Sequence, residues 1–281
     1  MSGGGTLYVV ATPLGNLEDL SPRAARILGE VALIAAEDTR VTAKLVSHLG
    51  LRKRIISCFR ENEAFRIPEL LAALARGEDV ALCTDAGSPG LSDPGQEMVA
   101  AAHAAGVRVV PVAGPSAVTA ALSASGFWTG RFRFLGFLPR KGQERARLLG
   151  EIAASREPVV LFEAPRRIER TLADLESACG ADREALWARE LTKLHEEVRR
   201  GPLAEIRRHV GAEIRGEVTL VVGPAPRAPS AEVTDEEIDR ALRAQPAGET
   251  PRARVDAVAH ALGVPKRRVY ARVARGRNPE G

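Results

Sequence analysis

The chain has 281 residues, enough for two domains, with 45% hydrophobic and 27% charged residues and a formal net charge of +4. No apolar run approaches the roughly 20 residues that a membrane-spanning helix requires, which excludes a membrane-spanning protein. The three cysteines, Cys58, Cys83 and Cys179, are isolated, and the N-terminus lacks the basic start of a signal peptide. We therefore expect a cytoplasmic protein without disulfides.

The first half of the chain alternates apolar runs with helix-like stretches. Ser21 and Pro22 form a good helix start, because a capping side chain precedes a proline in the first turn. Alternation of this kind predicts a mostly parallel sheet covered by helices on both faces, and we expect this first domain to span residues 1–126. The predicted strands are 6–11, 31–37, 79–84 and 107–112, and the predicted helices include 21–30 and 67–77.

The second half begins with another set of strands and ends in helices only. Residues 127–224 are predicted to form a second α/β domain with some antiparallel pairing, and the Pro- and Ala-rich residues 225–233 a linker. The remaining 234–281 resemble a basic helix-turn-helix module, with Gly263 at the turn. The predicted strands are 131–137, 158–164, 184–190 and 217–223, with helices at 142–155 and 166–179.

Arginine supplies 35 of the 40 basic residues, since the chain has only five lysines. A genome-wide bias explains the larger part of this preference, but the basic residues also cluster, at 131–149, 164–170 and 265–277. The planar guanidinium suits bidentate phosphate contacts, so the clusters would fit a polyanionic partner. Arg267 and Arg268, on the second helix of the module, are candidates for nucleic-acid contact; a small helical cap is the alternative.

Two strand-to-loop junctions are the most informative feature of the sequence. The strand predicted at 79–84 runs into a loop of Asp, Gly, Ser and Pro, and the strand at 107–112 runs into Gly114-Pro115-Ser116 before a helical stretch. Glycine lets the main chain approach a ligand closely, and proline fixes the loop around it. We therefore expect a ligand held by backbone at the carboxyl ends of adjacent parallel strands, with ordinary α/β connections as the alternative.

Several common chemistries have no support in the sequence. No Gly-x-Gly-x-x-Gly follows a strand, there is no Walker loop, and no Gly-x-Ser-x-Gly exposes a nucleophilic serine. The five histidines never pair at metal-ligand spacing, so we expect no metal. The absence of these motifs favours a cofactor that supplies its own reactivity. Such a cofactor needs mainly a cavity of matching shape and backbone hydrogen bonds from the protein.

Eight stretches match, in order, the motifs of one known family. They are ATPLGNLEDLSPRA (11–24), AEDTR (36–40), DAGSPGLSDPG (85–95), VAGPSAVTAAL (112–122), GFLPRKGQER (136–145), FEAPRRI (162–168), ARELTKLHEE (188–197) and GEVTLVVG (216–223). Together they resemble the bacterial 16S ribosomal RNA cytidine 2′-O-methyltransferases of the tetrapyrrole-methylase superfamily. Ser88 and Leu91 are conservative departures; tetrapyrrole methylases proper usually carry an aspartate at the place of Ser88, which favours the RNA branch.

The resemblance implies two α/β domains of tetrapyrrole-methylase type, with S-adenosylmethionine bound in the cleft between them, and a homodimer. The substrate would be 16S ribosomal RNA, either free or within the small ribosomal subunit. A tetrapyrrole methyltransferase is the nearest alternative, and a nucleic-acid-binding regulator is the alternative from another class. The donor-binding residues implied by the resemblance are Pro13, Asp85, Gly87, Ser88, Pro89, Leu91, Ser116, Ala117 and Gly216.

A neutral ribose 2′-hydroxyl is a poor nucleophile, so it needs a base or a cation that stabilises the developing alkoxide. Charged clusters follow three predicted strands, and from them we expect Glu163 or Lys193 to lie near the hydroxyl. The alternative is that these charges pair with one another to organise the cleft or a dimer surface. The expected RNA phosphate contacts are Arg40, Arg166 and Arg189 in the clusters and Arg140, Lys141 and Arg145 after the GFLP turn.

Overall fold

The computed structural model describes residues 4–127, 130–210, 216–226, 233–245 and 250–276. The chain divides into two compact units, Met1–Ala225 and Pro226–Gly281. Most of the linker expected at 225–233 lies outside the described residues, which omit 227–232. Within the described parts of the chain, no helix is both long and apolar enough to cross a bilayer.

The first sheet of the larger unit has five strands, which are β1 (Thr6–Val10), β2 (Leu33–Ala36), β3 (Arg54–Ser57), β4 (Val80–Cys83) and β5 (Arg108–Val112). All are parallel, as the alternating pattern predicted, and their order across the sheet is β3-β2-β4-β1-β5. The sequence analysis missed β3, because this strand is short and begins with an exposed arginine. The helices are α1 (Pro22–Glu30), α2 (Thr39–His48), α3 (Glu63–Ala75), α4 (Gln96–Ala104) and α5 (Ala117–Ser125). Helix α1 begins at Pro22, where the Ser21 hydroxyl accepts a hydrogen bond of 3.1 Å from the Ala24 N–H.

The two strands that precede the glycine- and proline-rich loops are not neighbours. Strand β1 lies between β4 and β5 and pairs in parallel with both. The expectation of adjacent strands is therefore wrong, because an apolar run identifies a strand without specifying which strand it pairs with. The arrangement brings a third loop, the one after β1, between the other two.

The second sheet mixes parallel and antiparallel pairing, as predicted. Its elements are β6 (Arg133–Phe137), α6 (Gln143–Ala154), β7 (Val159–Glu163), α7 (Ile168–Cys179), β8 (Glu184–Arg189), β9 (Glu197–Pro202), α8 (Leu203–His209) and β10 (Val218–Val222). The strand order is β6-β7-β10-β8-β9, and among these described strands only the pair β6 and β7 is parallel. The sequence analysis missed β9 because its sequence, EVRRGP, carries three charges and little apolar character.

Helix α5 packs on the second sheet although it follows the last strand of the first. Its Val118 and Leu122 belong to one buried cluster with Val160 of β7 and Leu186 of β8. Burying a side chain of this size stabilises a fold by about 1.5–3 kcal/mol. The two sheets are thus joined through a shared apolar layer, and the domain boundary expected after residue 126 stays a prediction.

The smaller unit consists of three helices, α9 (Asp235–Arg243), α10 (Pro251–Leu262) and α11 (Lys266–Gly276). Thr234 and Glu237 form a capping box at the start of α9, and Gly263 ends α10 with φ +65°. The helices and the turn lie where the sequence predicted them. Their buried core is Ile238, Val255, Val258, Ala259 and Val269.

Candidate active site

Three loops meet at the carboxyl ends of β4, β1 and β5. Thr12, after β1, and Gly87, after β4, exchange two backbone hydrogen bonds of 2.8 and 3.0 Å. The Thr12 hydroxyl also donates to the Thr84 carbonyl at 2.9 Å. The loop after β1 and the loop after β4 are therefore joined to each other by hydrogen bonds in the absence of a ligand.

Gly87 lies where the three loops converge. Its φ is +79°, and a Cβ at this position would lie 3.4 Å from Cδ2 of Leu14 and 3.9 Å from the carbonyl oxygen of Pro115. The left-handed backbone is strained for any residue with a side chain. The left-handed turn therefore requires the glycine, although the space around it would admit a Cβ at ordinary contact distances.

The loop after β4 is fastened by a residue that the sequence analysis missed. Glu63, at the start of α3 and only 4% exposed, accepts hydrogen bonds from the backbone N–H groups of Gly95 at 3.1 Å and Met98 at 2.8 Å. Those groups are donors at the N-terminus of α4 that have no partner inside the helix. A carboxylate from another helix therefore caps α4, and it holds the end of the loop in place.

A cavity of about 370 Å³ opens between the two sheets, beside these loops. We call it the central cavity. Helix α5 contributes Ala117, and the second sheet contributes Phe137, Phe162 and the start of β10. Its acidic lining residues are Glu37, Asp85, Asp93, Glu163 and Glu217.

The lining of the central cavity is electrostatically strained. Burial raises the pKa of Asp93 to about 7, and the carboxylates of Glu37, Asp85 and Glu217 push it in the same direction. Burial also raises the pKa values of Glu37 and Asp85. Partly buried like charges repel each other, so a cationic ligand would relieve the strain.

Three of the nine predicted donor-binding residues line the two cavities at this edge of the sheet. Asp85 and Ala117 line the central cavity, and Pro13 lines an adjoining cavity of about 320 Å³ that shares Asp85 with it. Ser116 is the residue before α5, and its side chain accepts no hydrogen bond from that helix. The other members are placed as follows: Ser88 and Pro89 are half-buried, Leu91 packs on the cluster around α5, and Gly216 has φ +89°.

Lys193 lies at the contact between the loop after β8 and the loop after β1. The Asn16 N–H donates to the Thr192 hydroxyl at 3.1 Å, next to this lysine. Nζ of Lys193 lies 2.9 Å from a Glu190 carboxylate oxygen and 3.3 Å from one of Glu217. Burial alone would lower the pKa of Lys193, but the two carboxylates raise it above its usual value. The ammonium therefore stays charged at the edge of the central cavity.

Glu163 lines the central cavity, but its carboxylate is already engaged. One oxygen accepts a hydrogen bond of 2.6 Å from the Thr171 hydroxyl. The other accepts the Ala164 N–H at 2.9 Å and lies 3.1 Å from Nε of Arg167. With its side chain fully buried, this carboxylate organises the end of β7 and the start of α7. Its expected role as a base stays a prediction.

A second concave site of about 420 Å³, which we call the arginine pocket, adjoins the central cavity. Ala164 lines both of them. Arg140 and Arg166, two of the expected RNA contacts, are exposed in this pocket and make no hydrogen bond or ion pair with any described residue. The remaining lining residues are Arg145, Arg167, Arg170 and Thr171.

Arg145 is in the interior, contrary to the expectation that it faces RNA. It is 5% exposed, and its guanidinium lies 2.7 Å from a carboxylate oxygen of Asp174. It also donates to the Thr171 hydroxyl at 3.1 Å and to the Pro139 carbonyl at 2.9 Å. A guanidinium held in this way supports the wall of the arginine pocket. The position of Arg145 after the GFLP turn did not show that its side chain would be buried.

The other predicted RNA contacts differ in their surroundings. Arg40 pairs with Asp38, and Arg189 pairs with Glu197 at 3.1 Å. These pairs agree with the alternative in which the charged clusters pair among themselves. In the smaller unit, Arg268 lies 3.3 Å from a carboxylate oxygen of Asp235. Lys141 and Arg267 are exposed and make no hydrogen bond or ion pair with the described residues. Among those residues, no group of three or more His, Cys, Asp or Glu side chains could hold a metal ion.

Comparison with known proteins identifies the family. The model of the tetrapyrrole (corrin/porphyrin) methylases matches residues 6–207. A Synechocystis protein named ribosomal RNA small subunit methyltransferase I is 42% identical over 95% of this chain and 96% of its own length. A Pseudomonas aeruginosa protein of the same name is 47% identical over 78% of this chain and 79% of its own. This chain belongs to the ribosomal RNA small subunit methyltransferase I family of tetrapyrrole methylases.

The fold of this tetrapyrrole methylase agrees with that of solved structures. Uroporphyrin-III C-methyltransferase from Thermus thermophilus, complexed with S-adenyl homocysteine, matches with a TM-score of 0.57 and 21% identity, over 78% of this chain and 97% of that one. The predicted tetrapyrrole-methylase fold is thereby confirmed. Because the Synechocystis match covers 95% of the chain, it must include most of the smaller helical unit, which lies beyond the family model.

Proposed function

We propose that this protein transfers the methyl group of S-adenosylmethionine to the 2′-hydroxyl of a cytidine ribose in 16S ribosomal RNA. The observation that carries the proposal is the 42% identity, over 95% of the chain, to a protein named ribosomal RNA small subunit methyltransferase I. Methylation of a tetrapyrrole, the nearest alternative, is supported by the match to the tetrapyrrole-methylase model and by relatives in fold at about a fifth sequence identity, whereas the relatives at 42% and 47% identity are named ribosomal RNA methyltransferases. The regulator alternative leaves the charged cavities without a role.

The central cavity fits S-adenosylmethionine as the methyl donor. The acidic lining, in which burial raises the pKa values of Glu37 and Asp85, suits a ligand that carries a sulfonium and an ammonium group. Gly87 leaves its main chain free of a side chain beside the cavity. When bound there, the donor would supply an electrophilic methyl group, and Asp85, Gly87 and Ala117 would hold it together with the other residues that the resemblance implies.

The arginine pocket supplies a site for RNA phosphate beside the donor. Arg140 and Arg166 present guanidinium groups that no described residue engages, and the pocket shares Ala164 with the central cavity. A phosphate close to the target nucleotide would neutralise these charges. Lys141, next to Arg140 in sequence, extends the positive surface, and Arg267 of the smaller unit offers a further exposed charge.

Lys193 and Glu163 have different roles in the proposed reaction. Lys193, kept protonated by Glu190 and Glu217, can stabilise a developing alkoxide but cannot accept a proton. Glu163, engaged by Thr171 and Arg167, would hold the shared wall between the two cavities. Orientation of the hydroxyl toward the methyl group supplies much of the rate in a direct displacement.

Transfer of a tritiated methyl group tests the proposed function. Unmodified small ribosomal subunits, free 16S RNA and a tetrapyrrole precursor are offered side by side with labelled S-adenosylmethionine. We expect alkali-resistant label at a single cytidine, because a 2′-O-methyl group blocks alkaline cleavage of the adjoining phosphodiester. Label in the tetrapyrrole alone, or no label despite donor binding, would refute the proposal.

The salt dependence of RNA binding tests the arginine pocket. Arg166→Ala should weaken binding and reduce the slope of log affinity against log salt by about 1, since one phosphate contact is lost. Arg207→Ala is the matched control, because Arg207 lies on α8 and is paired with Glu176 at 2.9 Å. Equal slopes for the two variants would show that the pocket does not bind phosphate. Affinity for the donor should not change in either.

We also propose a homodimer, which the resemblance implies. Leu194, at 93%, is the most exposed large apolar side chain among the described residues, and it serves as the probe of this surface. Sedimentation equilibrium of the wild type should give twice the chain mass, and Leu194→Asp should shift it toward the monomer. A wild type that sediments as a monomer at all concentrations would contradict the proposal.

A further inference from the structure

Asp93 differs from the other acidic residues of the central cavity because none of its lone pairs is used. Its half-buried carboxylate lines the cavity and makes no hydrogen bond or ion pair with any described residue. Asp85 accepts the Asp38 N–H at 3.0 Å, and Glu37 accepts the Asp85 N–H at 3.3 Å. Glu217 lies 3.3 Å from Nζ of Lys193. With Glu163 also engaged, Asp93 is the one described acidic residue of this lining whose carboxylate makes no hydrogen bond or ion pair.

The backbone on both sides of Asp93 is held by hydrogen bonds, which fixes the point from which its side chain enters the central cavity. The Ser92 carbonyl accepts a hydrogen bond of 3.2 Å from the Arg60 guanidinium, and Ser92 has φ +71°. The Pro94 carbonyl accepts the Gly90 N–H at 3.0 Å. On the second sheet, a Cβ at Gly136 would lie 2.9 Å from the Ser92 hydroxyl, which shows how closely the loop meets β6.

The surroundings of Asp93 suit a base that works near neutral pH. Burial raises its pKa to about 7, and the facing carboxylates of Glu37, Asp85 and Glu217 raise it as well, whereas Arg60 lowers it. A general base is most effective when its pKa lies near the working pH, because it is then both deprotonated and basic. An ordinary aspartate, with a pKa of about 3.9, would be a far weaker base.

We propose that Asp93 is the general base that accepts the proton of the ribose 2′-hydroxyl in the central cavity. The proposal rests on the proposed function, since it requires the target ribose to enter this cavity. As the carboxylate takes the proton, the oxygen–methyl bond forms while the carbon–sulfur bond of the donor breaks, and the sulfur keeps the electron pair. The proton then passes from Asp93 to water, which restores the carboxylate.

The two residues expected from the sequence are less suited to this step. Lys193 is a protonated ammonium held by Glu190 and Glu217, so it has no lone pair to offer. Glu163 would have to release Thr171 or Arg167 before it could accept a proton. We therefore assign proton acceptance to Asp93 and leave stabilisation of charge to Lys193.

Asp93→Asn tests the assignment, because the amide keeps the shape of the side chain and cannot accept the proton. Single-turnover methylation of the RNA substrate should fall by about 100-fold or more. Binding of S-adenosylhomocysteine, measured by calorimetry, and binding of RNA should stay within a few-fold of the wild type. Asp182→Asn, at an exposed position before β8, is the matched control and should keep full turnover.

The pH dependence separates a base from a residue that only supports the structure. The pH profile of kcat/KM reports the groups of the free enzyme, so kcat/KM of the wild type should rise with pH and level off above about 7, and this inflection should be absent from Asp93→Asn. Turnover of Asp93→Asn within fivefold of the wild type, or an unchanged inflection, would overturn the proposal. If the Asn variant does not fold, the wild type alone decides, since a kcat/KM profile without an inflection between about pH 6 and 8 excludes such a base.

Failure of the proposed function gives a different result. A wild type that binds S-adenosylhomocysteine but labels no RNA would contradict RNA methylation, and with it the assignment of Asp93. A wild type that labels RNA, combined with an active Asp93→Asn variant, would overturn the assignment alone. Asp93→Glu adds a further check, because it keeps a carboxylate in the cavity and should retain more turnover than the amide.

Discussion

Replacing Arg145 by methionine separates support of the arginine pocket from contact with RNA. Methionine keeps the apolar stem but removes the guanidinium, so Asp174 loses an ion pair of 2.7 Å and the Pro139 carbonyl loses a donor at 2.9 Å. Breaking a buried pair costs about 3–5 kcal/mol. The Asp174 side chain is 32% exposed and can be partly hydrated, so we expect a loss near the lower end, about 3 kcal/mol.

Urea unfolding measures this loss as a lower midpoint with an unchanged slope. Arg140→Met is the matched control, because Arg140 lines the same pocket but is exposed. The free energy of unfolding of this variant should differ from that of the wild type by no more than about 0.5 kcal/mol. The salt slope of RNA binding should fall by about 1 for Arg140→Met and stay unchanged for folded Arg145→Met. A stable Arg145→Met protein with a reduced salt slope would refute this reasoning.

Two further predictions concern the loop after β4. For Asp93, burial raises the pKa in the folded state to about 7, so the folded protein binds this proton more tightly than the unfolded chain and loses stability as pH rises from about 4 to about 7. Asp93→Asn lacks this loss. Between pH 5 and 8 its free energy of unfolding in urea should therefore rise by about 1–2 kcal/mol relative to that of the wild type, a value reduced because Asp93 is partly exposed. An equal pH dependence of the two proteins would contradict the burial of this charge. Glu63→Gln should destabilise the protein by about 1–3 kcal/mol, because an amide presents only one acceptor to the N–H groups of Gly95 and Met98. Hydrogen exchange at those two amides should accelerate, and unchanged protection would show that the cap does not hold the loop.

The amino-acid sequence by itself determined the type of fold and the location of the glycine- and proline-rich loops. Apolar runs separated by helical stretches predict a parallel sheet, because strands buried on both faces are continuously apolar. Gly87 marks a turn at the end of β4 because its left-handed backbone excludes side chains. Gly263 marks the turn of the helical unit for the same reason. These are local properties, set by each residue's own conformational preferences.

Only the tertiary structure decided which loops and charges come together. The position of β1 between β4 and β5 depends on strand pairing, which apolar runs do not specify. Arg145 and Arg140 belong to the same basic stretch, yet Asp174 and Thr171 from α7 bury one guanidinium and leave the other exposed. Asp93 shares its motif with Asp85, but only the packed loops and the second sheet show that its carboxylate lacks a partner and has a raised pKa. Burial and partners arise from residues distant in sequence, and they decide what each charged side chain can do.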